Sequence, residues 1–554
     1  MIHSETIAPR AVGSTICPSG LVDAATPVPQ PALVQRVAHW LHTLLRVLPM
    51  LVGVGVVLAA VAAVRGVVAD GDWMYSDGTQ LYHVLRIRDG LPLYPDIAES
   101  PFIAFVYWPL YLVAAGFLAR AADLGVDGAL YVTRALSVLG TLVAAGSIAS
   151  LAVLSGARRF GAFIAGGLFL TSYVVHPWAY AARADLPALG LVLFGLVVLL
   201  RIPSWWGAIA AGLITAAGFA CKQTYVVGVA VAVLAMFWQR QWTRGIILGG
   251  VWTVSVGMVA LVMTMVTDGK FLTNTVSSNV LPFRAETVLS HLAAYGPMSL
   301  PVLSLASVGW RGVGRAGTAL GLMRLYAVVA AVAGLFALAR AGSYYNHLLE
   351  ITAVLAVFAG VGVDRCAATF GQLTHQTDGP RHPLLAAIIP TAALFVAVAG
   401  SGIPLLALAF KAIDPPVRSD LIRALRDAPG PVLTERDALA VVLAGKEPIG
   451  GDPLGTGLLA AQGKWDPSPL NEFVRSQTFA LIALNRPVEE APAFDTFSWW
   501  PPDTRELIQR HYRLDHRLRN HYLYVPNEQV GRTITDASVI EASVAGWNVG
   551  AGGP

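Results

Sequence analysis

Between residues 44 and 410 the chain keeps returning to apolar runs of about 20 residues, the length that spans a bilayer. Candidate spans fall at 47–68, 135–156, 160–178, 186–200, 207–221, 225–238, 245–266, 298–310, 318–339, 348–363 and 384–410, about eleven by hydropathy. Backbone polar groups inside hydrocarbon have to be bonded within their own segment, so such a chain folds as a polytopic α-helical membrane protein. Composition agrees: 13% of the residues are charged against roughly 25% in soluble domains, and mean hydropathy is +0.61. A net charge of +4 over 554 residues gives no reason to expect a nucleic-acid partner. Cys17, Cys221 and Cys366 form no CxxC pair and no disulfide framework.

Four regions follow from this pattern. Residues 1–43 are polar and Pro-rich and read as a disordered cytoplasmic tail, without the apolar core of a signal peptide. Residues 44–410 form the membrane domain, with a long first loop at 69–134. After Lys411 the apolar density falls, and PVLT, FALIAL and HYLYVP read as buried strands. TRELIQRHYRL has helical spacing, with Leu507, Ile508 and Tyr512 on one face. A small α/β domain is expected over 411–530, and a flexible tail over 531–554.

The run 102–121, FIAFVYWPLYLVAAGFLARA, decides which side each loop faces. If it does not cross but lies in the outer interface, Tyr107, Trp108 and Tyr111 sit at headgroup depth. Arg158, Arg159, Arg201, Arg240, Arg244, Arg311, Arg315, Arg365 and Arg381 then share one face, which the positive-inside rule makes cytoplasmic. The first loop, the insertions AARADLP, CKQTY and AGSYYNH, and the C-terminal domain then share the other face, outside the cell. The expected setting is the plasma (inner) membrane of a bacterium, with the active site extracytoplasmic.

The first loop carries far more polarity than a tether needs. Asp70, Asp72, Asp77, Asp89 and Asp96 are five carboxylates in 27 positions. Asp77 precedes an amphipathic run, GTQLYHVLRI, and so reads as its N-cap, held near the bilayer. It is either a structural cap or a general base placed where a lipid-linked and a water-borne substrate meet. Arg183 and Asp185 stand at the outer end of a span, as a structural pair or facing a polar cavity. Lys222 either snorkels or binds a lipid phosphate. In ARAGSYYNHLLE, Asn346 either caps a helix or joins Tyr345 and His347 in binding phosphate or sugar hydroxyls, and Glu350 inside the span needs a partner. HExxH, Walker A and GxSxG motifs are missing, as are clusters at zinc spacing, so the chemistry is expected to draw on an activated substrate.

A first span, an acid before a helix in the outer loop, then GLPLYPD, Arg183-x-Asp185 and NHLLE at 346–350, with a trailing α/β domain, resembles one family in its order of parts. That family is the GT-C superfamily of polyprenyl-phosphate-sugar-dependent glycosyltransferases, and within it the relatives of protein O-mannosyltransferases and aminoarabinose transferases (family 39-like, the RgtA/B/C/D-like group). The resemblance implies a GT-C fold with outer juxtamembrane helices and a sugar donor on a polyprenyl phosphate. It also implies inverting transfer to the hydroxyl of a glycan, lipid or protein acceptor. Asp77 would be the base; Arg183, Lys222 and His347 would hold the donor phosphate; Asp185, Tyr82, Tyr94, Tyr345 and Asn346 would support the substrates. Many relatives have Asp-Glu where this chain has Asp77-Gly78, which leaves a divalent metal open. The chief alternative is a transporter or flippase of a lipid-linked or envelope substrate, although no internal repeat is visible.

Overall fold

The computed structural model describes residues 32–74, 76–311, 319–375, 383–401, 406, 409–410, 419–490 and 500–527. The expected C-terminal tail, residues 1–31 of the N-terminal one, and Arg315 and Arg381 lie outside the described residues. Each of the apolar runs becomes a helix. Helix α1 (Ala32–Val67) starts within the segment expected to be tail. A polar segment leads from it to α2 (Asp77–Arg88), and an irregular stretch over 102–106 leads to α3 (Leu110–Ala121). Then come α4 (Val126–Leu154), α5 (Arg159–Thr171), the one-turn α6 (His176–Ala179) and α7 (Asp185–Arg201). They are followed by α8 (Trp205–Cys221), α9 (Val227–Trp238), α10 (Trp242–Val266) and the short α11 (Lys270–Thr275). Helices α12 (Glu286–Tyr295), α13 (Leu300–Trp310), α14 (Ala319–Leu338), α15 (Leu349–His375) and α16 (Pro383–Gly400) complete the helical part.

Among the described residues, five helices are long and apolar enough to cross a membrane: those containing His39–Val67, Val126–Leu154, Trp242–Val266, Ala319–Leu338 and Tyr345–Gly371. A sixth is added if α12 and α13, bent by 47° at their junction, count as one span. The protein is thus a multi-pass membrane protein. Burial separates inner from outer helices: 67% of the apolar window around α15 is buried and 6% of that in α10. Helix α15 therefore runs through the centre of the bundle, while α10 presents its side chains to lipid.

The bundle has two chemically different ends. At one, the Arg158 amide donates to Asp364, the Arg244 guanidinium to the Leu199 carbonyl at 2.8 Å, and Arg324 to the Trp310 carbonyl at 2.6 Å. At the other end α7 begins, α8 ends and α15 begins, and the first loop and the trailing domain lie there.

The run 102–121 does not form a spanning helix: only Leu110–Ala121, 12 residues, is helical. Its aromatic residues pack against protein. Tyr111 is buried and its hydroxyl lies 2.8 Å from the Thr133 carbonyl, while Trp108 packs edge-on against Phe219 and Phe271. A buried phenol needs a partner, and α4 supplies one where lipid could not.

The C-terminal part forms α17 (Ser419–Asp427), β1 (Val432–Thr434), α18 (Ala438–Leu443), α19 (Pro453–Ala461), α20 (Ser468–Arg475) and β2 (Leu481–Leu484). It continues with α21 (Pro502–His511), β3 (Tyr512–Leu518) and β4 (His521–Pro526). The sheet order is β1-β2-β4-β3; β1 and β2 are parallel, the other pairs antiparallel. Tyr512 does not share the helical face of Leu507 and Ile508. It opens β3, an edge strand absent from the sequence reading because its side chains after Tyr512 are almost all exposed and show no apolar alternation. The core of this domain, with Leu433, Phe479, Ile482 and Tyr524, also takes in Ile97, Phe102 and Ala104 from the first loop.

Candidate active site

The site begins with a close approach between α4 and α7. A Cβ on Gly140 would lie 2.5 Å from Pro187 backbone atoms, and one on Gly190 2.6 Å from the Gly140 carbonyl. Only hydrogen fits at these positions. The contact sets Ser137 of α4 against the turn before α7, where its hydroxyl donates to the Arg183 carbonyl at 2.9 Å and is itself 2.9 Å from the Tyr111 hydroxyl.

One turn earlier on α4 stands Arg134, completely buried. It donates to the carbonyls of Gly66, Ala69 and Gly71 at 3.2, 2.5 and 2.7 Å, and to Asp77 Oδ2 at 3.0 Å. The other Asp77 oxygen accepts the Ala182 amide at 3.1 Å. Asp77 is 0% exposed and is the first residue of α2, with Ser76 at the cap position, so the expectation of an N-cap facing the bilayer surface is corrected. An anion at that position is favoured by the helix dipole. Burial pushes the Asp77 carboxyl above the usual carboxylate range, while Arg134 and then Arg183 pull it back.

Arg183, within electrostatic reach of this carboxylate, belongs to a second group of charges. Its guanidinium bonds Ser76 Oγ, donates to the Tyr107 hydroxyl at 2.7 Å and to Asp185 Oδ2 at 3.3 Å, and lies 5.2 Å from the ring centres of both Tyr107 and Trp178. Asp185 Oδ1 accepts Lys222 Nζ at 2.5 Å and Asn346 Nδ2 at 2.8 Å. Lys222 also faces the Tyr107 ring at 5.0 Å. Arg183, Asp185, Lys222 and Asn346 therefore form one polar network, and Asp77 lies beside it, within electrostatic reach of Arg183 and next to the Ser76 that Arg183 bonds. Arg183, Lys222 and Asp185 together keep one positive charge, the sign that suits an anionic ligand.

The remaining expected residues are placed differently. His347 is half-buried, within electrostatic reach of Lys222, Asp185, Arg340 and Arg183. Tyr345 packs at 4.0 Å on Tyr295 and 5.5 Å from Trp178, in the aromatic wall behind Arg183. Tyr94 does not enter the network; its hydroxyl donates to the Tyr107 carbonyl at 2.9 Å and so supports Tyr107 from behind. Tyr82 is also outside it, bonded at 3.0 Å to Glu447 of the C-terminal domain. Glu350 has its partner, the Tyr326 hydroxyl at 2.6 Å.

Two residues were missed. Arg134 looked like the edge of an apolar span, and Tyr107 like an interfacial aromatic. The available signal was an arginine set among small residues in YVTRALSVLG, which costs too much inside a membrane helix unless it is paired. A divalent metal does not fit: both carboxylates are already neutralised by Arg134, Arg183 and Lys222, and among the described residues no three His, Cys, Asp or Glu cluster.

The fold resembles that of several solved membrane proteins. One is ArnT from Cupriavidus metallidurans bound to undecaprenyl phosphate: 13% identity, 86% of this chain and 98% of that chain, TM-score 0.55. Its apo state is similar at 13% identity over 85% and 97%, with a TM-score of 0.53. The Archaeoglobus fulgidus oligosaccharyltransferase in the apo form aligns at 11% identity over 89% of this chain and 75% of its own, with a TM-score of 0.50. No family model and no curated protein matches the sequence. At these identities the likeness is one of fold.

Proposed function

We propose that this protein is a membrane glycosyltransferase that moves a sugar from a polyprenyl phosphate to a hydroxyl acceptor outside the cytoplasm, with inversion at the anomeric carbon. The observation that carries this reading is a buried carboxylate beside the net-positive cluster of Arg183, Asp185 and Lys222 at one end of the bundle. The arginine-rich turns at the far end support placing the site outside, on the extracytoplasmic face of a bacterial inner membrane.

In the proposed reaction the lipid phosphate is held by Lys222 and Arg183, with His347 beside them. The acceptor oxygen attacks the anomeric carbon and its proton passes to Asp77. The bond from that carbon to the phosphate oxygen breaks, and the electron pair leaves with the polyprenyl phosphate, whose charge the two cations stabilise. Asn346 and Asp185 keep Lys222 aimed, and Tyr345 walls the sugar side.

The test is incubation of the purified protein with a panel of undecaprenyl-phosphate sugars and envelope acceptors, followed by mass spectrometry. Release of undecaprenyl phosphate together with a new glycoside is expected. Movement of a lipid-linked sugar across vesicles with every glycosidic bond intact would identify a transporter instead.

A further inference from the structure

We propose that the C-terminal domain is a positioning part of the catalytic assembly: it clamps the helix that begins with Asp77 and the loop segment that ends at Tyr107. This rests on the glycosyltransferase reading above.

Three attachments carry it. First, α2 lies backbone-to-backbone on α18. A Cβ at Gly78 would come within 2.0 Å of the Leu439 amide nitrogen and 2.3 Å of the Ala438 carbonyl carbon, so nothing larger than hydrogen fits beside Asp77. The start of α18 is itself fixed to the sheet, because the Asp437 carboxylate meets His521 Nε2 at 3.0 Å and Asn485 Nδ2 at 3.4 Å.

Second, just over one helical turn beyond Asp77, the Tyr82 hydroxyl donates to Glu447 Oε1 at 3.0 Å and accepts from Arg86 at 3.1 Å. Burial pushes the Glu447 carboxyl above the ordinary glutamate range. A buried acceptor of this kind is costly to leave unpaired.

Third, the domain's core contains Ile97, Phe102 and Ala104 of the first loop. Trp465 Nε1 donates to the Ile97 carbonyl at 2.9 Å, and the Gly450 amide to the Pro101 carbonyl at 2.7 Å. From there the chain runs directly to Tyr107, whose hydroxyl receives Arg183. The base and the phenol that orients the phosphate-binding arginine are thus both mounted on segments gripped by this domain. A displacement of about 1 Å at such groups can cost on the order of 100-fold in rate.

The test uses full-length protein in lipid nanodiscs and the variants Tyr82→Phe, Glu447→Ala, Glu447→Gln and Gly78→Ala, with two readouts. Amide hydrogen exchange over 76–86 reports the clamp without any activity. Steady-state kinetics with the active undecaprenyl-phosphate sugar report its catalytic consequence. Tyr82→Phe and Glu447→Ala are expected to speed exchange and to lower kcat, each about tenfold for one lost hydrogen bond. KM for the donor should stay within about twofold, and the double variant should be no worse than either single one. Glu447→Gln, which keeps an oxygen for Tyr82, should behave as the parent.

Unchanged exchange and kcat in Tyr82→Phe and Glu447→Ala would overturn the proposal, as would a rise in KM at constant kcat. Gly78→Ala, if it folds, should exceed both. If the parent protein consumes no donor, it is the glycosyltransferase reading that fails, and the exchange measurement still decides the clamp.

Discussion

Arg134 shows how one residue can set both the shape and the chemistry of this site. It gathers three carbonyls of the segment after α1 and then the Asp77 carboxylate, all out of contact with water. Its positive charge is the strongest influence holding the Asp77 carboxyl down against burial. A general base works only when ionised, so activity should fall as pH drops through the raised Asp77 value. Arg134→Gln removes the opposing charge and should move the acid limb of kcat/KM to higher pH, with Arg134→Lys moving it less. The same change leaves a buried carboxylate unpaired, at a cost of about 3–5 kcal/mol in stability. A pH–rate profile of both variants, beside a thermal-unfolding control, checks this; a limb that stays in place would show that the titrating group is not Asp77.

At the scale of elements, the site depends on helices that touch without side chains between them. Gly140 of α4 and Gly190 of α7 allow the contact that brings Ser137 to the Arg183 turn. Gly140→Ala must push α7 away through the Pro187 backbone, which does not yield easily. Overpacking of this kind costs about 1–3 kcal/mol. We expect a lower unfolding temperature and weaker binding of undecaprenyl phosphate, because Arg183 and Asp185 move with α7; a differential-scanning and lipid-titration pair measures both. The helices themselves were legible in the sequence, since an apolar run of bilayer length has few other fates. Where a helix stops against a strand was not: His511 and Tyr512 are neighbours, and only tertiary pairing with β4 ends α21 there.

For the whole molecule, the two parts share more than a linker. Parity of the apolar runs and the clustering of arginines already put the first loop, Arg183, Lys222, Asn346 and the C-terminal domain at one end, and the structure brings them together there. Their joining into a network through Arg183 could not be read from spacing, because it depends on how α4, α7, α8 and α15 pack. For the same reason spacing does not reveal that Tyr82 faces Glu447 or that Tyr94 bonds the Tyr107 carbonyl. The most direct measurement for the account is donor consumption by Asp77→Asn beside the parent, with undecaprenyl phosphate affinity determined on the same samples. The account predicts a loss of turnover of about 10²–10⁴-fold, the usual worth of a general base, with affinity preserved because Arg183 and Lys222 remain. Turnover equal to the parent's at equal affinity would contradict it.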